Sequence, residues 1–546
     1  MEYKHQNQVV PARTADLGKK VFKKGNRYLK IRDELGIVFE NEKFSHLFSH
    51  QGRAAEAPGN LAIILVMQHL EGLSDREAAE QVRARIDWKY MLGLELEDEG
   101  IRHQILGEFR ERLVGGGSTD LLLDEILQQF REKGWLKESK KQRTDATYIV
   151  SAARRLKRIE LVWEALSKAL EVCAIHAPRW LEKQIDERWV RQYARPLGWR
   201  ELPNKGEERE KYGQQIGEDG YTLWHCLLNS PFYEEWYDKP EIEAWRRIWM
   251  QQYYQKEGHI CWRETTNRPP VAKTISTPYD LDARYSDKKG RAGHVGYQIH
   301  LTETVTRKKQ LSVVTDVTTT PTSTTDNQVL PLIQQKLTAR GLTPEIQLAD
   351  AGYVDAPNLV ESREDFGIDL FGPASTDSSW QKKQGKGYDL AHFKIDWGQR
   401  QVRCPENQVS SSWHDRFSSR GQPIVQVKMP SRVCKPCQAR LLCTKATART
   451  ITFRQQTEYE ALTTARARQE TDEFDRLYAA RSGVEGLISQ ALAISTRHSR
   501  YMGMAKTHLQ AVLTAVAINL ERAAQWLLSG HRARTRRSPL LALNLT

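Results

Sequence analysis

Gly296-Tyr-Gln-Ile-His-Leu-Thr-Glu-Thr-Val305 alternates in side-chain character and is rich in β-branched and aromatic residues, which predicts a strand. Gln310-Leu-Ser-Val-Val-Thr-Asp-Val-Thr318 reads as its neighbour. Asp326 then offers a cap to a helix whose apolar stripe is Val329, Leu330, Ile333 and Leu337, ending near Gly341. Ile346-Gln-Leu-Ala-Asp350 is a short buried strand, Asp355-Ala-Pro357 opens another helix, and Ile368-Asp-Leu-Phe371 is a further strand. Two long helical stretches close the chain, Gln469 to Ala493 and Ala505 to Leu528, the second ended by Gly530.

Strand, strand, helix, strand, helix, strand and then long helices is the order of an RNase H-like α/β sheet. Its first strand comes from far upstream, where Thr144-Asp-Ala-Thr-Tyr-Ile-Val150 supplies it. The predicted fold is therefore α/β: an RNase H-like catalytic core in pieces at 136–150, 276–372 and 458–530. A Trp-rich helical insertion at 151–275 and a β-rich, Cys-containing insertion at 373–457 interrupt it. An all-helical N-terminal domain at 1–135 precedes it and a basic tail at 531–546 follows. Trp at such density points to packed helix interfaces. In the N-terminal domain, Pro58–Gly59 starts a helix, Gly72 breaks it, and Ser74-Asp-Arg-Glu77 is a capping box for the next. That outline suits a DNA-binding helix-turn-helix, and equally an ordinary helical hairpin.

The longest apolar runs of this 546-residue chain, such as Leu61 to Met67, are too short to cross a bilayer, and MEYKHQNQVV has no apolar signal segment. A cytoplasmic protein with no membrane partner is expected. The net charge is +13, and residues 136–160 together with Arg532, Arg534, Arg536 and Arg537 carry nine of the excess positive charges. Clustered cations are the footprint of a phosphate backbone, although a solvated tail accounts equally well for the C-terminal cluster. DNA is the expected partner, held by Arg143, Arg154, Arg155, Lys157 and Arg158 of the basic segment and by Arg497, Arg500 and Lys506.

Cleaving a phosphodiester requires an activated oxygen nucleophile and a stabilised leaving oxygen, which two Mg²⁺ ions on a few carboxylates supply. Asp145 lies on one predicted strand, Asp350 ends another, and Glu485 lies on the late helix. Each has an ordinary alternative: Asp145 a helix cap, Asp350 a turn residue before Gly352, Glu485 a surface partner for Arg481.

Tyr478-Ala-Ala-Arg481-Ser-Gly-Val-Glu485 resembles the Tyr-Arg-Glu signature of a large class of bacterial insertion-sequence DDE transposases. On one continuous helix these three residues share a face. Arg143-Thr-Asp145-Ala-Thr, Gln347-Leu-Ala-Asp350-Ala-Gly-Tyr353, His498-Ser-Arg-Tyr501-Met-Gly-Met-Ala-Lys506, Phe109-Arg110-Glu-Arg112-Leu113 and Gly296-Tyr297-Gln-Ile-His300-Leu-Thr-Glu303 resemble a subgroup with a helical N-terminal domain. The resemblance implies a transposase that binds the terminal inverted repeats of its element as a homodimer, in the bacterial nucleoid, and cleaves and rejoins DNA. It implies Asp145, Asp350 and Glu485 as ligands of two Mg²⁺ (or Mn²⁺), with Arg481 and Tyr478 on the phosphate. Alternatives are a transposon-derived DNA-binding protein without catalysis and a nuclease of the same fold. The sequence departs from the family at Leu492, where a Lys is usual, and at Gln298, where Lys is common. Arg497, Arg500 or Lys506 are candidates to replace the first.

Of seven cysteines, four are grouped: Cys404 before a proline, Cys434-Lys-Pro-Cys437, and Cys443. One CxxC with two further thiols suits a tetrahedral structural Zn²⁺ site, and the subgroup carries similar cysteines; reduced free thiols are the alternative. Trp380, Trp397 and Trp413 of the same insertion read as core, while the resemblance also implies a β-rich insertion that contacts transposon ends and can stack an aromatic on an extruded base.

Overall fold

Five strands build the central sheet: β1 (Lys141–Val150), β2 (His294–Thr304), β3 (Val314–Pro321), β4 (Ile346–Leu348) and β5 (Asp369–Phe371). Their spatial order is 3-2-1-4-5, with β2 antiparallel to β1 and to β3, and with β1, β4 and β5 mutually parallel. A short strand, Arg284–Ser286, also lies along β2. The computed structural model describes residues 3–48, 55–137, 140–195, 202–203, 206–287, 293–306, 310–377, 379–419, 421–495 and 497–530. Arg532, Arg534, Arg536 and Arg537 lie outside the described residues. Among those described, no helix is long and apolar enough to cross a membrane.

β2 is buried from Val295 to Thr304, because both faces of the sheet are covered. Its alternation therefore separates two buried faces rather than inside from outside, and each polar residue needs an internal partner. Thr302 pairs with Thr144 at 2.9 Å, His300 Nδ1 lies 2.6 Å from the Tyr353 hydroxyl, and Glu303 accepts from Arg143 at 2.7 Å.

The helix after β3 spans Asp326–Ala339, and its N-cap is Thr325, in a capping box with Gln328, rather than Asp326. Pro331 removes the amide that would have bonded the Asn327 carbonyl; the Asn358 side chain donates to that carbonyl at 2.9 Å instead. Asp355 caps the helix Ala356–Glu364 by accepting from the Asn358 amide. The Ser74–Glu77 capping box forms as its sequence implies, after Gly72 closes the helix Pro58–Glu71 in a left-handed conformation.

The expected continuous helix from Gln469 to Ala493 is instead broken. Helices Gln456–Gln469 and Asp472–Tyr478 are followed by a 3₁₀ turn, Ala479–Ser482, and then by the helix Gly483–Ser495. Two causes are visible, one local and one tertiary. The Thr471 side chain accepts from the Phe474 amide and restarts the chain there. The Arg143 guanidinium donates to the Ala480 carbonyl at 2.7 Å and lies so close to Gly483 that a Cβ would sit 2.0 Å from its Nη1.

The last described helix, Met504–Ser529, is buried along most of its length. It packs on β3, on Pro58–Glu71 and on Arg27–Leu35, and Asn519 pairs through its amide with both the N–H and the carbonyl of Val314, at 2.8 and 2.9 Å. One apolar core runs from the N-terminal helices (Phe44, Leu65, Phe109, Phe130) through the sheet (Tyr297, Leu301, Val317) to this helix (Val512, Val516).

Two further segments have cores of their own. Between β1 and β2, helices pack around Trp163, Trp236 and Trp245. Gly213, Gly217 and Gly220 of the helix Gly206–Leu228 form a bare stripe against which Trp262, Tyr253 and Trp249 press. The segment after β5 carries a three-stranded sheet, Ser412–Phe417, Pro423–Lys428 and Thr450–Arg454, around Val402, Val425, Val427 and Phe453.

Candidate active site

Strand register brings the first two acids together. β1 runs parallel to β4 with Arg143 opposite Leu348, so Asp145 and Asp350 each follow two residues beyond that pair, Asp145 in the middle of β1 and Asp350 just past the end of β4. Asp145 accepts from the Ala146 amide at 2.8 Å through Oδ1. Asp350 has left the strand: its Oδ1 accepts from the Gly352 amide at 2.9 Å, which fixes the rotamer. Its turn geometry and a role in the site are thus compatible.

The free oxygens of both acids face one guanidinium. Arg481 donates to Asp145 Oδ2 at 2.8 Å and stands 3.9 Å from Asp350 Oδ2. Its Nε is buried with no hydrogen-bond acceptor. Burial pushes the Asp145 carboxyl upward; the Ala146 amide and Arg481 oppose this, and the Asp350 and Glu485 carboxylates reinforce it. Glu485 therefore lies within electrostatic reach of Asp145. Its helix packs Val484, Leu487 and Ala491 inward, leaving Glu485 exposed, with no hydrogen bond or ion pair among the described residues.

Tyr478, Arg481 and Glu485 do not ride one continuous helix, since the 3₁₀ turn falls between the first and the last. Tyr478 instead stacks on Phe474, 5.4 Å between ring centres, and Phe474 stacks in turn on Phe371 at the end of β5. Arg481 is 5.9 Å from the Tyr478 ring. Burial raises the Tyr478 phenol; Arg481 opposes this, while Asp350 and Asp145 add to it, so the group stays protonated at neutral pH.

Among the described residues, no three His, Cys, Asp or Glu side chains stand as a ready metal-holding group. Arg481 occupies the space between the two aspartates, where its charge offsets their mutual repulsion. The donor set, carboxylate oxygens on three separate elements, fits a hard divalent ion in chemistry.

A further acid lies beside Asp350. A Cβ on Gly352 would sit 2.7 Å from Asp326 Oδ2 and 3.0 Å from Asp350 Oδ1. Gln298, where the resemblance leads one to expect Lys, donates to Asp326, and the buried His300 is 4.0 Å from it. The sequence marks Asp326 only as a helix-start residue; nothing there signals its proximity to Asp350.

The basic residues separate into two groups. Arg143 is mostly buried, bound to Glu303 and to the Ala480 carbonyl, and is not presented to DNA. Arg158 is likewise engaged inside, donating to Gln252 at 2.6 Å and lying over the Trp262 ring, and burial pushes it down to about 9. Both placements correct the expectation of a DNA contact. Arg154, Arg155 and Lys157 are exposed, Arg155 lying over Tyr285. Arg497 donates to Thr147 at 3.0 Å, Arg500 to the Leu73 carbonyl at 2.9 Å, and Lys506 pairs with Glu111 at 2.5 Å. Leu492 is half-buried.

Cys404, Cys434, Cys437 and Cys443 line one cavity of about 310 Å³ beside the three-stranded sheet that follows β5. None is in a disulfide, and the Gln408 amide donates to Cys404 Sγ at 3.4 Å. Burial pushes the Cys443 thiol up to about 11; Arg449 opposes this and the other three cysteines add to it.

Residues 16–112 match the family described as Transposase domain (DUF772), and residues 403–524 match the Transposase DDE domain. The first segment falls on the N-terminal helices; the second runs from the clustered cysteines through Tyr478, Arg481 and Glu485 into the last helix. Asp145 and Asp350 lie outside both. No curated protein and no solved structure matches the chain significantly. The two family matches support a transposase of the DDE type.

Proposed function

We propose that the chain binds the terminal inverted repeats of its own insertion sequence, as a homodimer, and cleaves and joins DNA through Asp145, Asp350 and Glu485 around two Mg²⁺ or Mn²⁺ ions. The observation that carries this reading is the shared guanidinium, with Asp145 at 2.8 Å and Asp350 at 3.9 Å from one arginine of the Tyr-Arg-Glu signature. The 3-2-1-4-5 sheet with its antiparallel second strand supports an RNase H-like core. When bound, the cations supply an activated attacking oxygen and charge compensation at the leaving one.

The chain's own residues position the DNA. Arg481 releases the aspartates and offers its donors, the buried Nε among them, to a phosphate. Tyr478, kept protonated by its surroundings, donates a hydrogen bond to the same group. Arg154, Arg155, Lys157, Arg497, Arg500 and Lys506 line the backbone-binding surface. The four cysteines hold a structural Zn²⁺ that ties the later insertion together.

The test is cleavage of end-containing DNA in Mg²⁺ by the wild-type chain and by Asp350→Asn. Product from the wild type alone is expected; equal product from both overturns the assignment. Leu492 favours a second reading, DNA binding without catalysis, for which the same assay gives salt-dependent binding and no product from either protein.

A further inference from the structure

Glu303 is fully buried on β2, and no part of the proposed chemistry uses it. It lies directly across from Arg143 in the β1–β2 register. Its carboxylate accepts from Arg143 Nε at 2.7 Å and from Arg522 of the last helix at 2.6 Å. Each arginine has a second attachment. Arg143 donates to the Ala480 carbonyl at 2.7 Å, the residue just before Arg481. Arg522 donates through Nε to Gln490 Oε1 at 2.9 Å, on the helix that carries Glu485. One buried carboxylate thus anchors two arginines that grip residues 480–490 at both ends, with Arg481 and Glu485 between the grips.

From this geometry we infer that Glu303, Arg143 and Arg522 are positioning residues, which set the Arg481–Glu485 segment against Asp145 on β1. The inference rests on the metal-dependent cleavage proposed above. Stability alone is a poor reason for such a triad, because buried ion pairs are commonly replaceable by apolar residues without loss, whereas removing one member leaves a costly unpaired charge. What apolar replacements cannot supply is directional attachment of a turn that no regular helix holds. A carboxylate displaced by about 1 Å costs on the order of 100-fold in rate.

The decisive variant removes all three charges together: Arg143→Met, Glu303→Leu and Arg522→Met. It is expected to unfold near the wild-type temperature and to bind end-containing DNA with unchanged Kd, while kcat for Mg²⁺-dependent cleavage falls about 100-fold at constant KM. A kcat within about threefold of wild type overturns the inference. Gln490→Leu is the companion: the side chain is exposed, so folding is not at stake, and releasing one grip should lower kcat about tenfold at constant KM. Unchanged kcat in that variant overturns the inference even where the triple variant does not fold. Asp350→Asn is run beside both. If the triple variant cleaves at the wild-type rate while Asp350→Asn does not cleave, the positioning role falls and the proposed function stands; if the wild type does not cleave, both fall.

Discussion

The Arg481 guanidinium donates to Asp145 Oδ2 at 2.8 Å, joining the 3₁₀ turn before the Glu485 helix to the middle of β1. Its positive charge lowers the Asp145 carboxyl, which burial and then the Asp350 and Glu485 carboxylates raise. Removing it leaves Asp145 protonated to higher pH. In Arg481→Ala the acidic limb of the pH–rate profile for Mg²⁺-dependent cleavage should therefore move to higher pH, with kcat reduced roughly 100-fold. Arg481→Lys restores the limb and not the rate, since an ammonium carries the charge without the planar fork.

Asp145→Asn should abolish cleavage and stabilise the fold. A carboxyl whose folded pKa is raised costs stability at every pH above that pKa, and costs nothing below its unfolded pKa. The gain, about 0.5–2 kcal/mol, is expected at pH 7 and should vanish as pH falls through the ordinary carboxylate range. Denaturant titrations of both proteins at pH 7 and pH 3.5 check this.

His69 links acid to the N-terminal core. Burial, reinforced by Arg500, pushes its imidazole down to about 3; its bond to the Leu65 carbonyl and Asp75 pull the other way, and its Nε2 is buried without a partner. The unfolded chain takes up the proton near pH 6.5 and the folded chain does not, so stability falls as pH drops below that value. The loss from this one residue is about 2 kcal/mol between pH 7.5 and pH 5. His69→Gln should flatten that slope; an unchanged slope in urea titrations contradicts it.

If Zn²⁺ joins the four cysteines, the isolated protein should contain one ion per chain, and Cys437→Ser should contain substantially less. Because the Cys443 thiol is pushed up to about 11, adding Zn²⁺ to metal-free protein should release protons measurable in weak buffer. Chelation should expose the Val425 and Phe453 core to proteolysis while the central sheet remains protected.

The sequence was most legible where local chemistry decides the outcome. The Ser74–Glu77 box, the Asp355 cap and the β2 alternation all appear where their residues imply. The parallel register brings Asp145, in the middle of β1, level with Asp350, just past the end of β4. The unbroken helix through Arg481 was misread because the break has a tertiary cause, a guanidinium from a strand hundreds of positions away. Arg143 and Arg158 were misread for a related reason: charge density in a sequence does not reveal which cations a buried Glu303 or an indole face has already claimed. Asp326 was invisible as a neighbour of Asp350 because its position depends on how the Asp326–Ala339 helix meets the following turn.

The helix Met504–Ser529 sits at the centre of a core whose other half, Pro58–Glu71, is apolar almost all round. On the ribosome the earlier helix emerges hundreds of residues before its partner. It must spend most of translation shielded by a chaperone or by transient neighbours. A chain built this way stays unassembled in its nascent form, and shortened products that stop before Met504 lack the partner for that helix.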